Sequence, residues 1–305
     1  MNSMKNIRIG TRNSALALWQ AEEVAEKLHQ LNYTTEIVPI VSSGDKNLNQ
    51  PLYSLGITGV FTRDLDVALL NDEIDIAVHS LKDVPTKLPD NIELVAYLER
   101  DFPQDVLIRR KSAKNKELHE LKLATSSLRR RAFWKKHYPE TEFFDIRGNI
   151  QTRLQKLEEQ DFDATILSLA GIKRMNMNID YEMIPFMIPA PSQGVVAVAG
   201  HSDKKEINEI LAKINHEDTQ ICVEIERNFL STLEGGCTAP IGAFAEISED
   251  QIRFKAGLCS LDGKNFIATE ENFEYIVDVN FGKKYAQIVL ENGGKELMTE
   301  IKSQI

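Results

Sequence analysis

Five short segments pair a basic side chain with hydroxyls or glycine. "GTRNS" carries Arg12 and Ser14, "HSLKD" carries Ser80, Lys82 and Asp83, and "ATSSLRRR" carries Thr125, Ser126, Ser127, Arg129 and Arg130. "DIRGN" carries Arg147, Gly148 and Asn149, with Arg153 one turn later, and "AGIKR" carries Lys173 and Arg174. Guanidinium forks grip carboxylates and phosphates through two parallel hydrogen bonds. Any one of these arginines alone reads as an ordinary surface ion pair. Five such segments together point to a multiply anionic ligand. The chain has no G-x-x-x-x-G-K-[ST] loop and no G-x-G-x-x-G after its first strand, so nucleotide phosphates are not the obvious partner.

Two residues stand apart from that cationic set. Asp83 sits beside Lys82 in a loop otherwise suited to anions. It is either a structural salt bridge or helix cap, or a group that accepts N–H donors and stabilises a passing cation. Cys237 lies in the turn "LEGGCTAPIG", where a thiol can reach outward. A nucleophilic role needs a base in reach, and none of the six histidines lies in a recognisable cysteine-protease context. A tether for a prosthetic group needs only exposure. His79, on an apolar strand, reads as a core histidine, and "SQG" at 192–194 as a turn or hinge.

The elements that must position these residues alternate. "NIRIG", "TTEIVPIV", "IDIAVHS" and "IELVAYLER" read as strands. "SALALWQAEEVAEKLHQL" reads as a helix with Ala21, Val24, Ala25, Leu28 and Leu31 on one stripe, and "VFTRDLDVALLNDE" as another helix. The pattern restarts near residue 105 with "DVLIRR", "LKLATS", "TEFFDIR" and "DATILS" as strands and "SLRRRAFWKKHY" and "NIQTRLQKLEEQ" as helices. This alternation predicts α/β units with mostly parallel sheets, whose ligands bind beyond the carboxyl ends of the strands. From about 217 a long helix ends at Gly235–Gly236, three strands follow, and "GKKYAQIVLENGGKELMTEI" closes the chain as helix, a small α+β unit.

Composition narrows the classes. The 305 residues carry 36 basic and 46 acidic side chains, a net charge of −10, which disfavours a nucleic-acid partner. No apolar run reaches the length of a membrane span, and the N-terminus lacks the apolar core of a signal peptide. The three cysteines form no C-x-x-C pair; Cys222 and Cys259 read as reduced thiols in a cytoplasmic protein, and no metal site is expected.

Taken in order, "IGTRNSALALWQA", "AVHSLKDVPT", "TSSLRRR", "IRGNIQTRL", "LAGIKR", "SQG" and "ERNFLSTLEGGCTAPIGAFA" resemble the hydroxymethylbilane synthase, or porphobilinogen deaminase, family. The resemblance runs from near the N-terminus to about residue 245. It implies two periplasmic-binding-protein-like (type II) α/β domains hinged around a cleft, plus a small C-terminal α+β domain. The expected boundaries are 1–99 plus about 195–215, then 100–194, then 216–305. Thr58 and Arg63 stand where many members carry lysines, and Ala124 where glycine is common.

The resemblance also implies an activity. Four porphobilinogen molecules condense stepwise, each losing ammonia through an azafulvenium-like cation, onto a dipyrromethane cofactor. Hydrolysis then frees the linear tetrapyrrole hydroxymethylbilane. Cys237 matches the cysteine that holds the cofactor as a thioether. Asp83 matches the residue that takes pyrrole N–H bonds and stabilises the cations. Lys82, Ser127 and Arg130 resemble the residues holding cofactor side chains, with Thr125, Ser126, Arg129, Arg147 and Gly148 placed beside them. Arg12, Ser14, Ser80, Arg147, Arg153 and Arg174 resemble the substrate-binding set. A monomer is implied, with no nucleic-acid or membrane partner. The rival readings are a non-catalytic anion-binding protein of the same hinged fold and a different thiol enzyme using Cys237. A DNA-binding regulator is disfavoured by the acidic charge.

Overall fold

A computed structural model describes residues 6–41, 59, 61–233, 239–275 and 278–305. Cys237 and Thr58 lie outside the described residues. The chain divides into two compact units. Labels below run in chain order.

The first unit comprises 1–47, 57–101 and 194–220. It holds β1 (Asn6–Arg12), α1 (Ala15–Gln30), β2 (Thr34–Ile40), α2 (Arg63–Leu70), β3 (Ile76–Ser80) and β4 (Ile92–Tyr97), and later β10 (Val196–His201) and α6 (Lys205–Ala212). The sheet order is β2-β1-β3-β10-β4. β1 pairs in parallel with β2 and β3, but β10 is antiparallel to both β3 and β4. The expectation of parallel pairing therefore holds on one side of the sheet only. β10 enters after a long excursion of the chain, so no crossover helix ties its direction to its neighbours.

Ile7, Ile9, Ile76, Val78, Val196 and Val198 pack with α1 and α6 in the main core of this unit. Each fully buried Ile, Leu or Val contributes roughly 1.5–3 kcal/mol by leaving water. The α1 stripe buries Ala17, Gln20, Ala21, Val24, Ala25 and Leu28, while Leu31 serves as the half-buried C-cap. Ser14 starts the helix, its hydroxyl accepting from Ala17 N.

The second unit takes 48–56, 102–193 and 221–305. Its five-stranded sheet contains β5 (Asp105–Arg109), β6 (Leu123–Ala124), β7 (Phe143–Phe144), β8 (Ala164–Ser168) and β9 (Glu182–Met183). Helices α3 (Leu128–Lys135), α4 (Ile150–Glu159) and α5 (Leu169–Arg174) accompany them. The order β7-β6-β8-β5-β9 repeats the first sheet's plan, with β5 as the reversed strand.

Helix α7 (Glu217–Thr232) precedes a three-stranded antiparallel sheet of β11 (Ile241–Ser248), β12 (Gln251–Cys259) and β13 (Phe266–Glu274). The closing segment, predicted as one helix, is two: α8 (Phe281–Val289) and α9 (Lys295–Gln304). Non-helical Asn292 and Gly293, the latter with φ +96, break it. Cys222 and Cys259 are buried, and burial pushes the Cys259 thiol up to about 12.

Candidate functional site

The carboxyl end of β1 and the segment after β3 meet in the first unit. They line a pocket of about 80 Å3 with Arg12, Ser14, Gln20, Phe61, Ser80 and Asp83 among its walls. That volume is well below the roughly 300–1,000 Å3 of sites that enclose a whole drug-sized ligand, so the pocket suits one ring or one carboxylate arm. The Arg12 guanidinium lies 4.3 Å from the centroid of the Phe61 ring, a cation–π contact that fixes its plane. Buried Gln20 donates to the Ser80 hydroxyl at 2.8 Å.

After β3 the chain makes one short 3-10 turn, Leu81–Asp83, anchored by buried Leu81. That turn leaves Lys82 and Asp83 half-buried. No hydrogen bond or ion pair among the described residues engages the Asp83 carboxylate, which faces the pocket. His79 is the core histidine expected. Burial, reinforced by the nearby Arg12 charge, lowers its pKa to about 4, so it is neutral at pH 7.

In the second unit, β6 delivers the 125–127 turn to α3. Ser127 caps that helix, its hydroxyl accepting from Arg130 N at 3.4 Å. Thr125 is buried and accepts from Ser127 N, while Ser126 exchanges two hydrogen bonds with the Ile146 backbone at 3.0 Å each. The last two hydroxyls thus hold the turn itself. Arg129 and Arg130 point into the protein, both paired with buried Asp105 at 2.7 Å.

The neighbouring turn carries Arg147, which is 8% exposed and whose pKa burial lowers. Gly148 has φ +118, and a Cβ there would lie 2.7 Å from Thr152 Cγ2. Glycine is therefore required for the chain to turn into α4, where Asn149 caps Thr152 N. Arg153 donates from Nε to Gly148 O at 2.8 Å. Arg174 ends α5, half-exposed.

Each unit therefore collects its own residues. Arg12, Ser14, Ser80 and Asp83 share one pocket. Thr125, Ser126, Ser127 and Arg147 share one pair of turns, joined by the Ser126–Ile146 bonds. Asp105, Gln20 and Phe61 escaped sequence reasoning. Gln20 could have been found as the polar interruption of an apolar stripe, but Asp105 opens an ordinary strand and carries no signal.

Comparison with known proteins decides what this arrangement is. The model for "porphobilinogen deaminase, dipyromethane cofactor binding domain" matches residues 7–209, and that for the C-terminal domain of the same enzyme matches 220–291. The chain belongs to the porphobilinogen deaminase family. The porphobilinogen deaminase of Syntrophomonas wolfei is 39% identical, over 97% of this chain and 99% of its own. That of Desulfosudis oleivorans is 42% identical over 98% of each. A probable porphobilinogen deaminase of Methanocaldococcus jannaschii is 46% identical over 84% of this chain and 89% of its own.

Among solved structures, an ancestral cationic amino acid solute binding protein aligns over 68% of this chain and 87% of its own, at 14% identity and a TM-score of 0.43. The fold is α/β, with two five-stranded sheets of the same strand plan and a small C-terminal three-stranded unit. Family membership does not favour the binding-protein and free-thiol readings.

The family's cofactor-binding domain calls for a dipyrromethane, a ligand with several carboxylates and two pyrrole N–H groups. The side chains present fit it. Two buried guanidiniums share a single carboxylate, Asp105, which leaves one positive charge for an anion to neutralise. In the first unit, taken by itself, the pocket wall carries the Asp83 carboxylate, a side chain of the acceptor type that N–H groups require.

Proposed function

We propose that this chain condenses four porphobilinogen molecules, with loss of ammonia, on a dipyrromethane cofactor and releases hydroxymethylbilane by hydrolysis. It is a transferase of tetrapyrrole biosynthesis. The observation that carries the reading is the match of both family domains over nearly the whole chain, with a half-buried Asp83 on the wall of the Arg12 pocket.

When bound, the dipyrromethane would supply the free pyrrole carbon to which the first substrate ring is joined, each later ring joining the one before it. Lys82, Ser127, Arg129 and Arg130 would hold its carboxylates, with the 125–126 and 147–148 turns shaping their surroundings. Cys237 would anchor it as a thioether. Arg12, Ser14, Ser80, Arg147, Arg153 and Arg174 bind the acetate and propionate of porphobilinogen and of the growing chain. Asp83 accepts pyrrole N–H bonds and stabilises the positive charge left on the substrate ring when ammonia departs. Neutral His79, in the pocket wall, adds no competing charge. The reading includes the three-domain division given above and a cytoplasmic monomer. Among the described residues, no helix is long and apolar enough to cross a membrane.

The deciding experiment is the intact mass under denaturing conditions, with Cys237→Ser as control. Added mass of two linked pyrroles, absent from the control, is expected. An unmodified mass that persists after incubation with preformed hydroxymethylbilane would overturn the reading.

A further inference from the structure

We infer that Asp105 is a positioning residue: its buried carboxylate fixes Arg129 and Arg130 as one clamp for a ligand carboxylate, and Gln193 ties that clamp to the 192–194 turn. The inference rests on the functional reading of the two arginines. Its own basis is the geometry around a single side chain.

The Asp105 side chain is fully buried, and the two arginine side chains are 7% exposed. Oδ1 accepts from Arg130 Nε at 3.0 Å and Nη2 at 2.7 Å, and from Gln193 Nε2 at 3.2 Å. Oδ2 pairs with Arg129 Nη1 at 2.7 Å. The guanidiniums are pinned a second time, Arg129 Nη1 to Ile188 O and Arg130 Nη1 to Ile166 O, each at 2.7 Å. Gln193 Nε2 also donates to Pro103 O at 2.6 Å. Strand β5, the middle of β8 and the 188–193 segment thus converge on one carboxylate–guanidinium cluster.

Two consequences follow from charge and valence. Each guanidinium has five N–H donors, and the bonds named leave donors on both for a ligand. Two cations and one anion leave a net charge of +1 in a buried cluster, and an uncompensated buried charge is strongly unfavourable. One ligand carboxylate cancels it. With asparagine at 105, two adjacent guanidiniums would repel each other, and the amide NH2 would confront their donors. With glutamate, the charge would survive but the carboxylate would move by a methylene, and the clamp would lose its alignment.

The test is cofactor occupancy in folded protein, read as the fraction of denatured intact mass that carries two linked pyrroles. Wild type, Asp105→Asn, Asp105→Glu and Phe162→Leu are compared after addition of preformed hydroxymethylbilane. Phe162 belongs to the second unit's core, so its variant lowers stability without touching the cluster. The expected result is full loading in wild type and Phe162→Leu. Asp105→Asn should lose at least tenfold in occupancy with its circular dichroism retained, and Asp105→Glu should fall below half.

Full loading of folded Asp105→Asn would overturn the inference. If Asp105→Asn does not fold, Asp105→Glu decides: full loading overturns the inference and reduced loading supports it. A loss equal to that in Phe162→Leu would reduce Asp105 to a stability role and also overturn it. An unloaded wild type would instead condemn the functional reading.

Discussion

Asp83 and Asp105 are the same side chain placed at the ends of two similar five-stranded sheets, and they do opposite things. Asp83 stands half-buried after a short turn, on a pocket wall, with no described group holding its carboxylate. Asp105 is fully buried at the start of a strand, paired with two arginines and a glutamine. Burial alone would raise the Asp105 pKa, but Arg129 and Arg130 outweigh it and hold the group well below the ordinary carboxylate range. A carboxylate left unpaired at a site can act on a ligand. One paired within its own protein acts by fixing what surrounds it.

The sharpest way to break this comparison is Asp83→Asn. Turnover of porphobilinogen should fall by about 10²–10³-fold or more, as when a charge aimed at a developing charge is removed. The melting temperature should move by no more than a surface substitution does, about 0.5 kcal/mol in stability. Turnover near wild type, measured as hydroxymethylbilane formed at saturating substrate, would end the contrast.

Asp105→Asn should invert that pattern in its stability arm. Removing one partner of a buried pair typically destabilises by about 3–5 kcal/mol. A clear drop in denaturant midpoint is therefore expected, and an unchanged midpoint would show that the pair is not formed.

The smallest expected effect concerns pH and His79. Its folded pKa of about 4 lies below the ordinary 6.5. The unfolded chain therefore takes up the proton first, and stability is lost as pH falls from about 6.5 toward 4, by at most roughly 3 kcal/mol. Asp105 behaves differently. Its folded pKa is depressed below 3.8, so its contribution is intact above that value and is lost only as pH falls through the folded pKa. Between pH 7 and pH 5, His79→Gln should flatten the decline in melting temperature and Asp105→Asn should not. An equal decline in wild type and His79→Gln would mean that His79 is not held neutral.

Much of the molecule is legible along the chain because it is encoded locally. The strand β1 and the helices α1 and α7 follow from short-range periodicity, and Ser14 caps α1; the Gly235–Gly236 stop expected for α7 lies outside the described residues. The turns "GTRNS", "HSLKD" and "TSSLRRR" could be placed at strand ends from residue type and adjacency, and the structure puts each of them there. The buried character of His79 followed from its apolar strand.

Other features were not local. β10 runs antiparallel between β3 and β4 because a segment more than a hundred residues away in sequence returns to the first sheet. The final helix is split at Gly293, whose positive φ weighs more than the helical periodicity on either side. The sequence by itself determined which residues could meet an anion, and its family motifs determined the chemistry. Only the tertiary structure decided which carboxylate stands unpaired among the described residues and which is paired within the protein. Pairing depends on what lies across space: Asp105 meets Arg129 and Arg130, some 25 residues away, and Gln193, 88 residues away, and no pattern read along the chain contains those distances.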